Sequence, residues 1–220
     1  MQRIKLCDRI LPKYSPGEER LNAISHGIGI AMGLIVLILC SSKSGTASTR
    51  IGSIIYGVCM IAVYTISTIY HALPPRTAKK VFQILDHCTI YLLIAGTYTP
   101  ILLGAFVANS PTVGWTLLVL QWAVAAFAIV LNAIDLKKFR PFSYTAYIVM
   151  GWAIIFVAPT AMELISRPGL LYLLLGGISY TVGAILFGIG SKLPWFHGVF
   201  HIFVLLGSFL QFLSIYLYIL

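Results

Sequence analysis

The sequence predicts an all-α fold: a polytopic bundle of seven transmembrane helices, amino terminus cytoplasmic and carboxyl terminus outside. Three observations predict it. Of the 220 residues, 59% are hydrophobic and only 10% are charged, whereas a soluble domain is about half apolar and about a quarter charged. The apolar residues are gathered in long runs, each near the roughly 20 residues that cross a bilayer as a helix. The basic residues stand in the short segments between those runs, as they do in oriented membrane proteins. The runs are continuous. The strands of a membrane β-barrel would alternate apolar and polar residues, so helices are expected instead.

The spans are expected at 22–40, 50–72, 82–104, 112–132, 142–163, 169–190 and 195–219. Residues 1–21 read as a cytoplasmic amino-terminal segment, and 22–220 as a single transmembrane domain. The first twenty residues are polar and basic and lack the short apolar core of a cleavable signal peptide. The first apolar run is therefore expected to be a retained anchor. Within it, Gly29 and Gly33 make a small-xxx-small pair. Such a pair suits close helix packing, although glycine is also simply tolerated in membrane helices. Pro100 in the third span and Pro159 in the fifth should each kink the helix or free a carbonyl. No internal repeat is visible, and an odd number of spans argues against duplication. Cys7, Cys40, Cys59 and Cys88 show no paired spacing, so neither a disulfide framework nor a thiolate metal site is expected. Three of them lie in apolar runs, where cysteine serves as a small packing residue.

The net charge of +9 does not point to nucleic acid, because of where the charges stand. Arg3, Lys5, Arg9, Lys13 and Arg20 precede the first span. Arg76, Lys79 and Lys80 fall in the second loop, Lys137, Lys138 and Arg140 in the fourth, and Lys192 in the sixth. These twelve share one side, against Lys43, Arg50 and Arg167 on the other. The excess side faces the cytoplasm. A multi-pass protein of the cell membrane is expected, with membrane lipids as substrate or ligand.

Polar residues inside spans are costly in lipid and mark function by default. The orientation sorts them. His71 ends the second span, Asp86 lies near the start of the third, and His197 and His201 open the seventh. All four therefore fall at similar depth on the cytoplasmic side. His197 and His201 are four apart, so their imidazoles leave one helix face. Two such rings can chelate one metal ion, and a third histidine from another helix leaves a position for water, as in catalytic zinc sites. A nearby divalent cation would offset the cost of the Asp86 carboxylate, roughly 2.5–3.5 kcal/mol at the bilayer centre. The alternative is a set of interfacial histidines bonded to headgroups or carbonyls. Ser67 stands one turn before His71. His87 lies about 100° around the helix from Asp86 and is expected to pack elsewhere or support the site. His26 opens the first span and is expected at the interface.

The same motifs resemble the hemolysin III family, bacterial relatives of the progestin and adipoQ receptors and, more distantly, of the alkaline ceramidases. The matching residues are Glu18-Glu19-Arg20-Leu21-Asn22, Ser25-His26-Gly27, Ser67-Thr68-Ile69-Tyr70-His71, the run DHCTIYLLIAGTYTP from Asp86 to Pro100, and His197-Gly198-Val199-Phe200-His201. They cover nearly the whole chain in order. The resemblance implies seven helices and an intramembrane zinc ion held by His71, His197 and His201. It implies that Asp86 holds or activates a water and that Ser67 lies near the site. Glu19 and Asn22 match an amino-terminal pattern that is read as a structural contact at the helix start.

Three functions compete at this level. One is a zinc-dependent hydrolase of a lipid amide or ester, with Asp86 as general base and Ser67 bonding the reacting oxygen. Another is a sensor or membrane-homeostasis factor in which zinc staples three helices. The third is direct cytolysis, which suits poorly a chain inserted during synthesis. An ion channel is weaker still, because no ring of charges or filter segment is visible.

Overall fold

A computed structural model describes Leu6, residues 9–190 and residues 193–220. Arg3, Lys5, Cys7, Asp8 and Lys192 lie outside the described residues, and so does most of the start of the amino-terminal segment. No strand occurs among the described residues. Seven helices have the length and apolarity to cross a membrane: α1 (Pro16–Lys43), α2 (Ala47–Ala72), α3 (Thr77–Asn109), α4 (Pro111–Asp135), α5 (Arg140–Leu164), α6 (Arg167–Ile189) and α7 (Phe196–Tyr218).

The helices correspond one to one with the expected spans and run longer at several ends. At α1 the reason is local. Ser15 caps the helix, its hydroxyl accepting from the Glu18 N–H at 3.2 Å while the Glu18 carboxylate accepts from the Ser15 N–H at 2.8 Å. Pro16 occupies the first turn, where its missing N–H costs nothing. Hydropathy reports only the lipid-soluble part of a helix, so this polar turn falls outside the expected span.

Both prolines interrupt their helices. After Pro100, α3 widens into a π-turn over Leu102–Phe106. In α5 the α-helix stops at Gly151, passes through a 3-10 stretch over Ala153–Val157 and resumes at Ala158, with Pro159 in the new first turn. A proline removes one backbone donor and crowds the preceding turn, and such local widening or tightening absorbs the mismatch.

Consecutive helices pack side by side, and α7 closes back against α1. The glycine pair in α1 proves to be a packing device. A methyl group on Gly29 would lie 2.5 Å from the Tyr64 ring, and one on Gly33 would lie 2.9 Å from the Ile61 side chain. The close approach of α1 to α2 depends on this lack of side chains. The core collects Val36, Tyr56, Met60, Tyr64, Phe106 and Ile215. Large apolar side chains also cover the outside, including Ile24, Ile28, Ile35 and Ile38 on α1. Cys40, Cys59 and Cys88 are buried and unpaired, as packing residues should be.

A polar knot ties three helices in this core. Tyr64 of α2 donates to the Ser208 hydroxyl of α7 at 2.6 Å, and Tyr180 of α6 meets the same oxygen at 2.7 Å. Interhelical hydrogen bonds in membranes are worth about 0.6 kcal/mol on average and up to about 1.7. Ser208→Ala removes the shared partner of both phenols. It should lower stability by about 1–2 kcal/mol, read as a fall in the unfolding midpoint in detergent. An unchanged midpoint would mean that the tyrosines find other partners.

Candidate metal centre

At one end of the bundle α1 begins, α2 ends, α3 begins and α7 begins. His71 stands on the last turn of α2, and His197 and His201 on the first turns of α7. All three are buried, and one ligand nitrogen from each lies within 4.8 Å of the others. The His197 Nε2 is 3.3 Å from the His71 Nε2 and 3.1 Å from the His201 Nε2.

The far side of two rings is already occupied. The His71 Nδ1 lies 2.7 Å from a Glu19 carboxylate oxygen. The His201 Nδ1 lies 3.3 Å from the Asn22 carbonyl and 3.3 Å from the Ser25 hydroxyl, which itself donates to that carbonyl at 3.0 Å. Carboxylates and carbonyls only accept, so each Nδ1 carries the hydrogen and each Nε2 presents a lone pair. Three buried imidazoles thus face one another with fewer hydrogens than lone pairs. A cation at their meeting point removes the conflict. Tetrahedral zinc, at about 2.0–2.1 Å from each nitrogen, requires nitrogens about 3.3 Å apart. The observed separations of 3.1 and 3.3 Å suit that requirement.

The first turn of α7 is tied to that of α1. Trp195, the residue before α7, adopts a left-handed backbone with φ of 69°, and its N–H donates to the Glu18 carboxylate at 2.7 Å. Glu18 therefore serves two helix starts. Glu19, one position on, turns to His71. The pattern Glu18–Glu19–Asn22 is thus a working part of the site.

The remaining residues singled out from sequence divide as follows. Asn22 is fully buried, with its side-chain amide 3.4 Å from the His71 Nδ1. Ser67 is buried one turn before His71. Asp86 is half-buried near the start of α3, and no hydrogen bond joins it to the histidines among the described residues. Its charge reaches Tyr14, which lies over the cluster. His87 is not part of the three-histidine group; its Nδ1 lies 2.9 Å from the Gln83 carbonyl, and the Phe187 ring neighbours both it and His197.

His26 departs from the interfacial position expected of it. It is buried, and its ring stacks on His201 with centroids 3.6 Å apart and planes 8° from parallel. Among the described residues, neither of its nitrogens has a hydrogen-bond partner. An imidazole binds a metal in its own ring plane, so a ring stacked face to face on His201 could brace that residue but could not share an ion with it. Sequence places a residue at a depth and says less about which way it faces.

Tyr14 carried no sequence signal. It precedes the Ser15 cap, and its ring stacks on His197 at 4.9 Å and tilts over His71 at 5.9 Å. Burial, reinforced by the charge of Glu19, raises the pKa of its hydroxyl well above the ordinary phenol value. It therefore stays a neutral hydrogen-bond donor beside His71 and His197.

The model of the family described as Haemolysin-III related matches residues 14–212. The chain is 43% identical over 206 residues to Hemolysin-3 of Bacillus cereus, an alignment covering 92% of each protein. It is 40% identical over 204 residues to the Hemolysin-3 homolog of Bacillus subtilis (strain 168), covering 91% of this chain and 94% of that one. The human monocyte to macrophage differentiation factor is 25% identical over 218 residues, covering 94% of this chain and 87% of that protein. With seven apolar helices and matches along nearly its whole length, the chain is an integral membrane protein and belongs to the haemolysin III-related family.

Proposed function

We propose that this protein holds a zinc ion at His71, His197 and His201 and hydrolyses an amide or ester bond of a membrane lipid. The carrying observation is the convergence of three buried Nε2 atoms, with separations of 3.1 and 3.3 Å and with Glu19 and Asn22 backing two of the rings. Bound there, zinc supplies Lewis acidity and lowers the pKa of water toward about 7. Asp86, half-buried near the start of α3 at the same end of the bundle, is assigned the proton of the attacking water, which it returns to the leaving amine or alcohol. Ser67 donates to the oxygen on which negative charge develops. Tyr14 limits water entry and offers a neutral hydroxyl to the lipid. The excess of basic residues at this end of the bundle supports a cytoplasmic site in the cell membrane, reached by lipid from the inner leaflet.

A second reading, zinc as a staple of α2 and α7, is favoured by the Tyr14 ring lying directly over His197. One experiment separates them. The purified, zinc-loaded protein is offered ceramides and ester-linked lipids, and released fatty acid is measured. Hydrolysis predicts a product that falls at least about 100-fold in Asp86→Asn and is lost in His197→Ala and His201→Ala. A staple predicts bound zinc, no product and a lower unfolding midpoint on chelation. Product that persists in the histidine variants would rule out this mechanism.

A further inference from the structure

Lys79 is a buried lysine that the proposed chemistry does not use. It stands in the first turn of α3, with its side chain 5% exposed. A buried ammonium is costly unless its donors are placed and a counter-charge is near. Here all three donors have acceptors. The ammonium donates to a Glu19 carboxylate oxygen at 2.7 Å and to the Leu73 carbonyl at 2.9 Å, with the His71 carbonyl at 3.5 Å. It also stands 5.2 Å from the centroid of the Tyr70 ring.

These acceptors have one thing in common. Two are carbonyls at the carboxyl-terminal end of α2, where helix carbonyls lack intrahelical partners and the helix dipole favours a cation. The third is the carboxylate whose other oxygen holds the His71 Nδ1 at 2.7 Å. Lys79 therefore reaches the His71 ring through Glu19, while the His71 carbonyl stands at the limit of hydrogen-bond distance. We propose that Lys79 is a positioning residue of the metal centre. It neutralises Glu19 and fixes its orientation, so that Glu19 accepts from the His71 Nδ1–H and leaves the Nε2 lone pair aimed at the ion.

The inference rests on the reading that His71 is a metal ligand. Groups that orient a metal-binding imidazole change affinity by about 10–100-fold when removed. Lys79→Met should weaken zinc binding within that range, measured by chelator competition on the full chain in detergent. Lys79→Arg, which keeps the charge and the donors, should restore most of the affinity, and Lys80→Met should leave it unchanged. Because Lys79 acts through Glu19, Lys79→Met should add little to the loss already caused by Glu19→Gln. A purely structural lysine would give additive losses.

A zinc-free measurement keeps the two readings apart. In protein labelled with ¹⁵N-histidine, His71 should show the Nδ1–H tautomer in the wild type, and Lys79→Met should shift it toward a mixture. Zinc binding by the wild type with unchanged affinity in Lys79→Met would overturn the role of Lys79 and leave the metal site standing. A wild type that binds no zinc would overturn the metal site, and an unaltered His71 tautomer in Lys79→Met would then overturn the positioning role as well.

Discussion

Replacing His201 by alanine should lower zinc affinity by about 10²–10⁴-fold, the largest single effect expected in the molecule. Structural zinc is bound in small proteins with about 10–16 kcal/mol. Losing one of three protein ligands removes on the order of a third of that, which converts to the stated range at 1.4 kcal/mol per tenfold. His201 is the most constrained of the three. Its Nδ1 is held by Asn22 and Ser25, its face is covered by His26, and its Nε2 lies 3.1 Å from that of His197. Little preorganisation remains when it is removed, because His197 and His71 come from different helices. Serine or water in the vacated space does not replace an imidazole for zinc. Chelator competition and metal analysis of the purified variant check this. His87→Ala is the control, since His87 offers no nitrogen to the three-histidine group, and its zinc content should match the wild type. Equal zinc in His201→Ala and the wild type would place the ion elsewhere.

Gly29→Leu should cost about 1–3 kcal/mol through overpacking, at the upper end of that range or beyond it. Even the first carbon of a side chain would stand 2.5 Å from the Tyr64 ring. That ring has little freedom to retreat, because its hydroxyl is held by Ser208 at 2.6 Å and it is fully buried. Pressure on it passes to His26, whose ring meets the edge of Tyr64 at 5.1 Å and stacks on His201. The variant should therefore lose thermal stability and zinc affinity together. Gly27→Leu is the matched control, since nothing lies within 4 Å of a carbon added there. It should leave both quantities near the wild-type values. Equal losses in the two variants would show a propensity effect and no packing role.

The seven helices were legible in the sequence because a bilayer imposes one length and one composition on every span. The interruptions were legible too, since a proline in a membrane helix acts on its own turn, as at Pro100 and Pro159. The shared level of His71, His197 and His201 followed from spacing and loop charge, which are one-dimensional quantities. Helix starts were less legible. The turn beginning at Pro16 is polar and held by the Ser15–Glu18 cap, so hydropathy alone stops short of it.

What sequence alone determined about this protein is therefore its class, its spans and the end of the bundle at which His71, His197 and His201 gather. The tertiary structure decided which side chains meet. It turned Glu19 from a contact at a helix start into the partner of His71, and His26 from an interfacial residue into a ring stacked on His201. It also brought in Tyr14 and Lys79, which belong to no periodic pattern. The physical reason is that period and hydropathy set position along a helix, whereas its rotation and its neighbours are set by packing. That packing depends on pairs distant in sequence, such as Gly29 with Tyr64 and Glu18 with Trp195.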